Sequence, residues 1–276
     1  MKRLFSRAAM LLAVAVTAFT FTSCNDDNDG DKKFSELQGS YELATVDKDN
    51  GGSTVNKLSL TITPTWVDAE KLPTVDISAM MGYPAGSMVI GLKDMTDMVE
   101  PLLANFVKKA LVGLNLNQDG TLGATYHEFI SQGNLGADFM APKFAEVVSV
   151  FPGENDPLPA DALQYYTKDH KIYFGVSKAF LNTIDESLCA MIDGMLAEDK
   201  TLPIVSTDKL FALPLRYTEA DGVLKVYLDR ATLVPFASLL PLLGELDLGI
   251  DLEDIVTKLI ANTSELEIAI YLKRTL

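Results

Sequence analysis

Histidine and cysteine offer the most versatile side-chain chemistry near neutral pH, and the chain of 276 residues contains two of each. His127 and His170 stand alone, without the H-x-x-x-H or H-E-x-x-H spacing that presents two imidazoles to one zinc ion. His170 falls in the turn of a predicted hairpin, where we expect solvent exposure. The histidines therefore predict no metal centre.

Cys189 lies in the segment IDESLCAMIDGML, whose apolar residues recur at helical spacing. A thiol beside such a stripe is typical of a small core residue, because free cysteine is readily buried and no histidine is near it in sequence. We therefore expect a structural role for Cys189. The other cysteine is Cys24; acylation of Cys24 would leave Cys189 without a partner, so no internal disulfide is predicted.

Two acidic stretches resemble part of a calcium-binding loop. In NLNQDGTLGATY, oxygen-bearing side chains at Asn115, Asn117 and Asp119 have the spacing of its first half. However, Tyr126 occupies the position where a bidentate glutamate completes the coordination, so we interpret the stretch as a hairpin turn. In NDDNDGDKKFSE, Lys32 occupies the position of an apolar residue. Neither stretch predicts a calcium site, and no metal or cofactor is expected.

Carboxylates that could act as acid and base in glycoside cleavage occur at Asp185 and Glu186, Glu219 and Asp221, and Glu253 and Asp254. Nothing in the sequence indicates that they share a cleft, and solvated surface positions account for them. The chain contains no G-x-S-x-G motif, phosphate loop or dinucleotide fingerprint. We therefore predict that the protein is not an enzyme, with an unrecognised hydrolase as the catalytic alternative.

The N-terminus combines Lys2, Arg3 and Arg7 with an apolar run of about fourteen residues, too short to span a bilayer comfortably as a mature helix. The run predicts a secretory signal over residues 1–23. Its last residues and Cys24 read FTSC, which resembles the lipobox of bacterial lipoproteins. The resemblance implies cleavage before Cys24 and acylation of that residue, giving a membrane anchor. The alternative is an ordinary signal peptide with an incidental cysteine.

Residues 24–35 form an acidic segment. The run NDDNDGD behind Cys24 has four carboxylates in seven positions and no apolar side chain, which predicts a solvated, flexible tether. The run also resembles the acidic export signal of Bacteroidetes lipoproteins, which implies an outer-membrane protein exposed at the cell surface. A spacer on a periplasm-facing lipoprotein is the alternative.

Removal of residues 1–23 leaves 253 residues and changes the net charge from −15 to −18, because this segment holds three basic and no acidic residues. So negative a charge argues against a nucleic-acid partner, since phosphates require a basic surface. It also argues against electrostatic adhesion to anionic lipid, which leaves the acyl anchor as the membrane attachment.

Residues 36–276 are predicted to form one α+β domain, or two closely packed halves. Alternating apolar residues and turn residues predict strands over 36–46 and 55–63 with a DKDNGG turn between them, hairpins over 115–126, 163–177 and 213–229, and a final strand from residue 266. Helical spacing predicts helices over 95–111, 187–199, 231–243 and 252–263.

Residues 37–41, LQGSY, resemble the L-x-G-x-W start of lipocalin and calycin barrels, with Leu37 and Gly39 in place and Tyr41 where those proteins have tryptophan. The segment is also similar to the start of the folded part in uncharacterised Bacteroidetes outer-membrane lipoproteins. The resemblance implies antiparallel β structure. Combined with the helices, it predicts an antiparallel sheet or partial barrel elaborated by several amphipathic helices.

Apolar helices, the methionine content and the lipocalin-like start favour a membrane-anchored cell-envelope lipoprotein that binds a hydrophobic small molecule or glycan without catalysis. Trp66, the single tryptophan, is the candidate ligand-binding residue, because an exposed indole can stack on a sugar. Its alternative role is to cover the core. The functional alternative is a structural or accessory lipoprotein that acts through protein–protein contacts.

Overall fold

A computed structural model describes residues 36–49, 55–78, 81–131, 138, 140–153, 158–236 and 252–275. The predicted signal peptide, Cys24, the tether and part of the helix predicted over 231–243 lie outside these residues. The strands are β1 (Gly39–Leu43), β2 (Val46–Asp49), β3 (Val55–Leu58), β4 (Leu60–Trp66), β5 (Thr74–Asp76), β6 (Val89–Gly91), β7 (Leu111–Leu116), β8 (Leu122–Phe129), β9 (Phe144–Phe151), β10 (Leu163–Lys168), β11 (Lys171–Ser177), β12 (Val205–Ser206), β13 (Leu210–Ala220), β14 (Val223–Asp229) and β15 (Thr263–Thr275). The helices are α1 (Leu92–Ala110), α2 (Lys178–Ile184), α3 (Glu186–Glu198), α4 (Arg230–Phe236) and α5 (Leu252–Asn262).

Most of these strands belong to one antiparallel sheet. Its order is β10-β11-β13-β14-β15-β1-β7-β8-β9, with β12 beside β13 and β4 beside β15. The hairpins β2–β3 and β5–β6 form two small separate sheets. A large antiparallel sheet with helices packed on it confirms the coarse fold predicted from the sequence.

The long strand β15 is central, and it creates a fork in the sheet. One edge pairs with β14 over residues 267–273. The other edge pairs first with β4 and then, beyond Tyr271, with β1. At the change of partner, the Tyr271 N–H donates to the Ser59 carbonyl at 3.0 Å, and the Tyr271 carbonyl accepts from the Ala44 N–H at 2.9 Å. The β2–β3 hairpin connects β1 to β4 and leaves the sheet at this fork.

Helix α1 packs against the fork and is fixed there by a buried ion pair. Its apolar face joins the side chains of β4 in the main core, as expected for an amphipathic helix. Glu100, only 3% exposed, accepts a hydrogen bond from the Ile62 N–H at 2.7 Å and forms an ion pair with Lys48 of β2. Because a buried carboxylate requires both a counter-charge and hydrogen bonds, this pair couples α1, β2 and β4.

The LQGSY segment joins the first strand to the last in a contact that we call the clamp (Leu37, Gly39, Tyr41 and Arg274). Tyr41 lies opposite Arg274 in the β1–β15 register. The Tyr41 hydroxyl donates to the Leu37 carbonyl at 2.7 Å and accepts from the Arg274 guanidinium at 3.0 Å. Gly39 has φ 153°, and a Cβ there would lie 3.2 Å from Nε of Arg274. Each residue that carries the resemblance therefore has a structural role.

The sheet curls so that β10 approaches the β7–β8 turn. Tyr165 of β10 donates its N–H to the Gly120 carbonyl at 2.7 Å and its hydroxyl to the Asn117 carbonyl at 2.9 Å. One isolated bridge joins Thr121 to Gln164. Within the described residues β9 and β10 do not pair, so the sheet is curved and not closed.

The predicted hairpins are confirmed, and the helix predicted over 95–111 is α1, which contains Pro101 without ending there. Asp221 and Gly222 have φ values of 53° and 73°, as a two-residue hairpin turn requires. The turn predicted at DKDNGG was placed too early, because residues 47–49 pair with β3. Their partners lie across the hairpin, and local composition alone does not reveal them.

The prediction that Cys189 is a core residue was wrong. The residue is half-buried, and its thiol lies 3.5 Å from the Lys178 carbonyl. None of the residues of α3 is fully buried, and Met191 in the same apolar stripe is 55% exposed. Helix α3 packs beside α2 at the periphery, so its apolar residues are only partly covered by neighbouring side chains.

Candidate functional site

Trp66 lies at the end of β4, half-buried against the main core. It is opposite Thr263 of β15, whereas Leu43 at the end of β1 is in register with Leu272. Nine positions separate residues 263 and 272 along the strand, which corresponds to about 30 Å. Trp66 therefore lies far from the groove that the structure forms beside β1.

The candidate acid and base carboxylates lie on separate elements. Asp185 is the N-cap of α3 and accepts hydrogen bonds from Ser187, which lowers the pKa of its carboxyl group. Asp254 pairs with Lys258 at 2.6 Å, and the side chain of Glu253 lies outside the described residues. Glu219 and Asp221 are exposed at the end of the β13–β14 hairpin. The described positions thus serve local structure and solvation.

The described part of the chain has neither the side-chain grouping of a metal site nor a membrane-spanning helix. Within it, no three His, Cys, Asp or Glu side chains come close enough to hold a metal ion. Asp119 instead binds the N–H and hydroxyl of Thr121 within the β7–β8 turn, which lowers the pKa of its carboxyl group. No helix among these residues has both the length and the apolar character needed to cross a membrane.

A serine–lysine pair occurs where α2, α3 and β12 meet. The Ser206 hydroxyl lies 2.8 Å from Nζ of Lys178, a distance at which an uncharged lysine could act as a base. Here, however, Asp193 accepts from the Ser206 hydroxyl at 2.7 Å and pairs with Lys178 at 3.0 Å. The Phe211 ring lies 4.3 Å from the same nitrogen in a cation–π contact. Because Ser206 donates its hydroxyl proton to Asp193 and accepts from Lys178, the cluster serves to stabilise the junction of three elements.

A groove opens where α1 ends and passes directly into β7. The Leu111 N–H donates to the Val107 carbonyl, so the last turn of the helix is continuous with the first residue of the strand. The β7–β8 register shifts between Leu111 and Gly113, and the β8–β9 register shifts between His127 and Phe129. Both irregularities lie beside the same part of β8. Such β-bulges change the direction of nearby side chains and are common near binding sites.

The groove has a volume of about 610 Å³, within the range of about 300–1,000 Å³ that is usual for small-molecule sites. It is open to solvent along the surface of the protein. Its lining comes from β1, α1, β7, β8 and β9: Glu42, Leu43, Lys108, Lys109, Leu111, Val112, His127, Pro142, Phe144 and Ala145. Most of these side chains are apolar, and the charged ones stand at the rim.

Three aromatic rings support one wall of the groove. Phe144 lies 5.3 Å from Phe106 of α1 and 5.8 Å from Phe129 of β8, measured between ring centroids. Phe106 and Phe129 are 5.5 Å apart. Such tilted contacts hold the rings in fixed positions. The wall is therefore anchored to both the helix and the sheet.

His127 contributes a fixed imidazole to the groove. Its Nδ1 donates to the Ala145 carbonyl at 2.9 Å, which spans the irregular β8–β9 pairing. In the neutral ring this hydrogen bond leaves Nε2 as an acceptor. The imidazole therefore adds a polar group to an otherwise apolar floor.

Sequence reasoning did not identify the groove. Lys108 and Lys109 were treated only as part of a predicted helix, and His127 was considered only as a metal ligand. One signal was available: the helix pattern ends next to the strand-like segment LVGLNL without a long turn between them. The register shifts that open the groove depend on strands distant in sequence and left no comparable pattern.

No protein-family model, curated protein or solved structure matches this chain.

Proposed function

We propose that this protein is a membrane-anchored cell-envelope lipoprotein that binds a hydrophobic small molecule or a glycan in the groove, without catalysis. The main support for this proposal is the groove, a mostly apolar concave surface of small-molecule size with a packed aromatic wall. We also propose that the first strand is related to the start of lipocalin barrels. This relationship is supported by the buried Tyr41 of the clamp and its contact with the last strand.

The side chains of the groove favour binding over catalysis. Its potential acid–base groups are Glu42, Lys108, Lys109 and His127. His127 already donates to a backbone carbonyl, and among the described residues that line the groove there is no serine or cysteine nucleophile. A hydrolytic site also needs a group that positions water or stabilises an oxyanion, and this lining provides no paired arrangement of that kind.

Native mass spectrometry tests this proposal. The protein is exported with a cleavable signal and Cys24→Ala, purified from the bacterial envelope and sprayed without denaturation. We expect a bound small molecule in this form and its loss when Val112→Trp fills the groove. Val67→Trp is the matched control, because Val67 is 67% exposed and lies outside the groove. Absence of any bound molecule, or equal retention in both tryptophan variants, would contradict the proposal.

The membrane anchor has its own test. Acylation of Cys24 predicts that alkyne-tagged palmitate fed to the bacterium is incorporated into the wild-type protein and not into the Cys24→Ala variant. Exposure at the cell surface predicts that externally added protease removes the acylated protein from intact cells. Labelling of the Cys24→Ala variant would refute the lipid anchor, and protection from protease would favour the periplasm-facing alternative.

A second candidate function, an accessory lipoprotein acting through protein contacts, is favoured by strand β9. This strand ends the described sheet, and Val147, Val148 and Val150 are 77%, 43% and 55% exposed. An apolar edge strand can accept an extended strand from another protein. Chemical cross-linking in cells should then give a complex that disappears in the Val147→Lys variant, and an unchanged cross-linking pattern would count against this candidate.

A further inference from the structure

The rim of the groove carries positive charge on a strongly acidic chain. Lys108 and Lys109 are exposed, and no hydrogen bond or ion pair of either ammonium occurs among the described residues. Among the other described lysines, Lys48, Lys178 and Lys225 pair with carboxylates, whereas exposed lysines such as Lys200 and Lys209 have no such ion pair. Of the described side chains that line the groove, Glu42 alone is acidic, on a chain with a net charge of −15. The local charge of the groove is therefore opposite to that of the whole protein.

The position of the lysines has one structural explanation, since cations interact favourably with the C-terminal end of a helix dipole. That interaction accounts for their location in the last turn. It does not account for an open apolar groove beside both of them, or for the net positive charge of the described groove residues on so acidic a chain. These two features together point to an anionic ligand.

The apolar side chains that line the groove indicate the chemistry of the rest of the ligand. Leu43, Val112 and Pro142 offer aliphatic surface, and Val112 is 45% exposed at the irregularity in β7, whereas Leu111 is buried. The aromatic ring in the lining, Phe144, is held against two other phenylalanines. A sugar is typically recognised by stacking on an open aromatic face together with several hydrogen-bonding side chains, whereas an aliphatic floor suits a hydrocarbon chain.

We infer that the groove binds a small amphiphile with one anionic head group, the head beside Lys108 and Lys109 and the hydrocarbon chain along Val112. The lysines and the floor are adjacent in sequence, because the helix continues directly into β7. Head and chain can thus be bound at the same helix–strand junction. This inference rests on the proposed function and specifies the ligand class of the same site.

Calorimetric titration with two probes matched in chain length tests the inference. The whole mature chain, residues 24–276, is produced without its signal, so that it is not acylated and needs no detergent. Decanoate and decanol are titrated below their aggregation concentrations. We expect decanoate to bind about tenfold more tightly than decanol, with the difference shrinking at high salt.

Two double variants locate the charge effect. Lys108→Gln with Lys109→Gln should weaken decanoate binding about tenfold and leave decanol binding unchanged. Lys200→Gln with Lys209→Gln changes the net charge equally at exposed positions outside the groove and should alter neither. Circular dichroism establishes that each variant is folded.

The outcomes separate the two levels of the proposal. Equal affinities for decanoate and decanol, both reduced by Val112→Trp, would overturn the anionic inference and support the groove as a binding site. Equal weakening by the two double lysine variants would also overturn it, because the effect would then come from overall charge. Failure of both probes to bind would overturn the inference, and native mass spectrometry of the envelope-purified protein would then decide whether the groove holds a ligand of another class, such as a glycan.

Discussion

Tyr41 and Glu42 are neighbours on β1, yet they belong to opposite environments. Tyr41 is 3% exposed, hydrogen-bonded at its hydroxyl and covered by the Arg274 guanidinium. Glu42 faces the open groove, where two lysines have no carboxylate partner within the part of the chain that the structure describes. Strand side chains alternate between the two faces of a sheet, so one strand can serve both environments.

The clamp and the groove differ in their roles: the residues of the clamp stabilise the fold, and the residues of the groove remain available to bind a ligand. In the clamp, the hydroxyl of buried Tyr41 donates to Leu37 and accepts from Arg274, so the removal of one group leaves its partners unsatisfied. In the groove, charges are solvated and side chains half-exposed, so substitutions there should change stability little. Substitutions of the same type in the two kinds of environment can therefore test whether stability depends on buried, paired groups and not on the exposed groove.

The largest effect is expected from Tyr41→Ala. Removal of a buried aromatic ring should lower the free energy of unfolding by about 3–5 kcal/mol, measured by urea denaturation. Tyr41→Phe keeps the ring and loses the hydroxyl, so it should cost only about 1 kcal/mol. A loss below about 1 kcal/mol for Tyr41→Ala would show that the clamp does not hold the first strand.

The next largest difference is expected between a lysine that pairs with a buried carboxylate and a lysine of the groove. Lys48→Gln removes the counter-charge of buried Glu100 and should destabilise the protein by about 3 kcal/mol. Lys108→Gln affects only an exposed ammonium near a helix end and should cost less than about 1 kcal/mol. Differential scanning calorimetry at one salt concentration compares them. Equal melting temperatures for the two variants would contradict the contrast.

Gly39→Ala should destabilise the clamp by about 1–3 kcal/mol, because an alanine is strained at φ 153° and its Cβ would press on the Arg274 side chain. Gly194→Ala in α3 is the matched control, since a Cβ there meets no atom within 4 Å. This helical substitution should stabilise the protein by about 1 kcal/mol. The same sign of change in both variants, measured by thermal unfolding, would argue against strain at Gly39.

Alkaline pH should lower the free energy of unfolding through ionisation of Tyr165. Burial, with smaller effects of Tyr41 and Asp119, raises the pKa of Tyr165 to about 12 from the ordinary value of 10.0. The unfolded chain therefore ionises first, so stability present below pH 10 is lost as the pH rises toward 12, by at most about 1.4 kcal/mol per pH unit from this residue. Tyr165→Phe should flatten the decline in urea-unfolding free energy between pH 10 and 12. An unchanged slope would rule out this contribution.

Local patterns explain why the hairpins and α1 could be predicted. Asp221 and Gly222 fit positive φ, and the flanking residues alternate, so the whole β13–β14 unit is encoded within one short stretch. Helix α1 repeats its apolar residues every three or four positions over five turns. In each case the residues that specify the element are also near one another in the chain.

The fork and the groove were not predictable in this way. β1 and β4 share one edge of β15, although about 200 or more residues separate them from it in sequence, so no local window contains the pairing. The groove depends on two register shifts within β7, β8 and β9, and on Lys108 and Lys109 remaining unpaired. A basic pair at the end of a helix has the same sequence whether it is solvated or bound to a ligand.

The central claim is that ligand binds at the junction of α1 and β7, and photoaffinity labelling tests it most directly. A diazirine-tagged decanoate is bound to the mature chain, irradiated and mapped by peptide mass spectrometry, with unlabelled decanoate as competitor. We predict competable labels within residues 108–112 and 142–145, which line the groove. Competable labelling confined to other segments, or no labelling that decanoate can displace, would contradict the account.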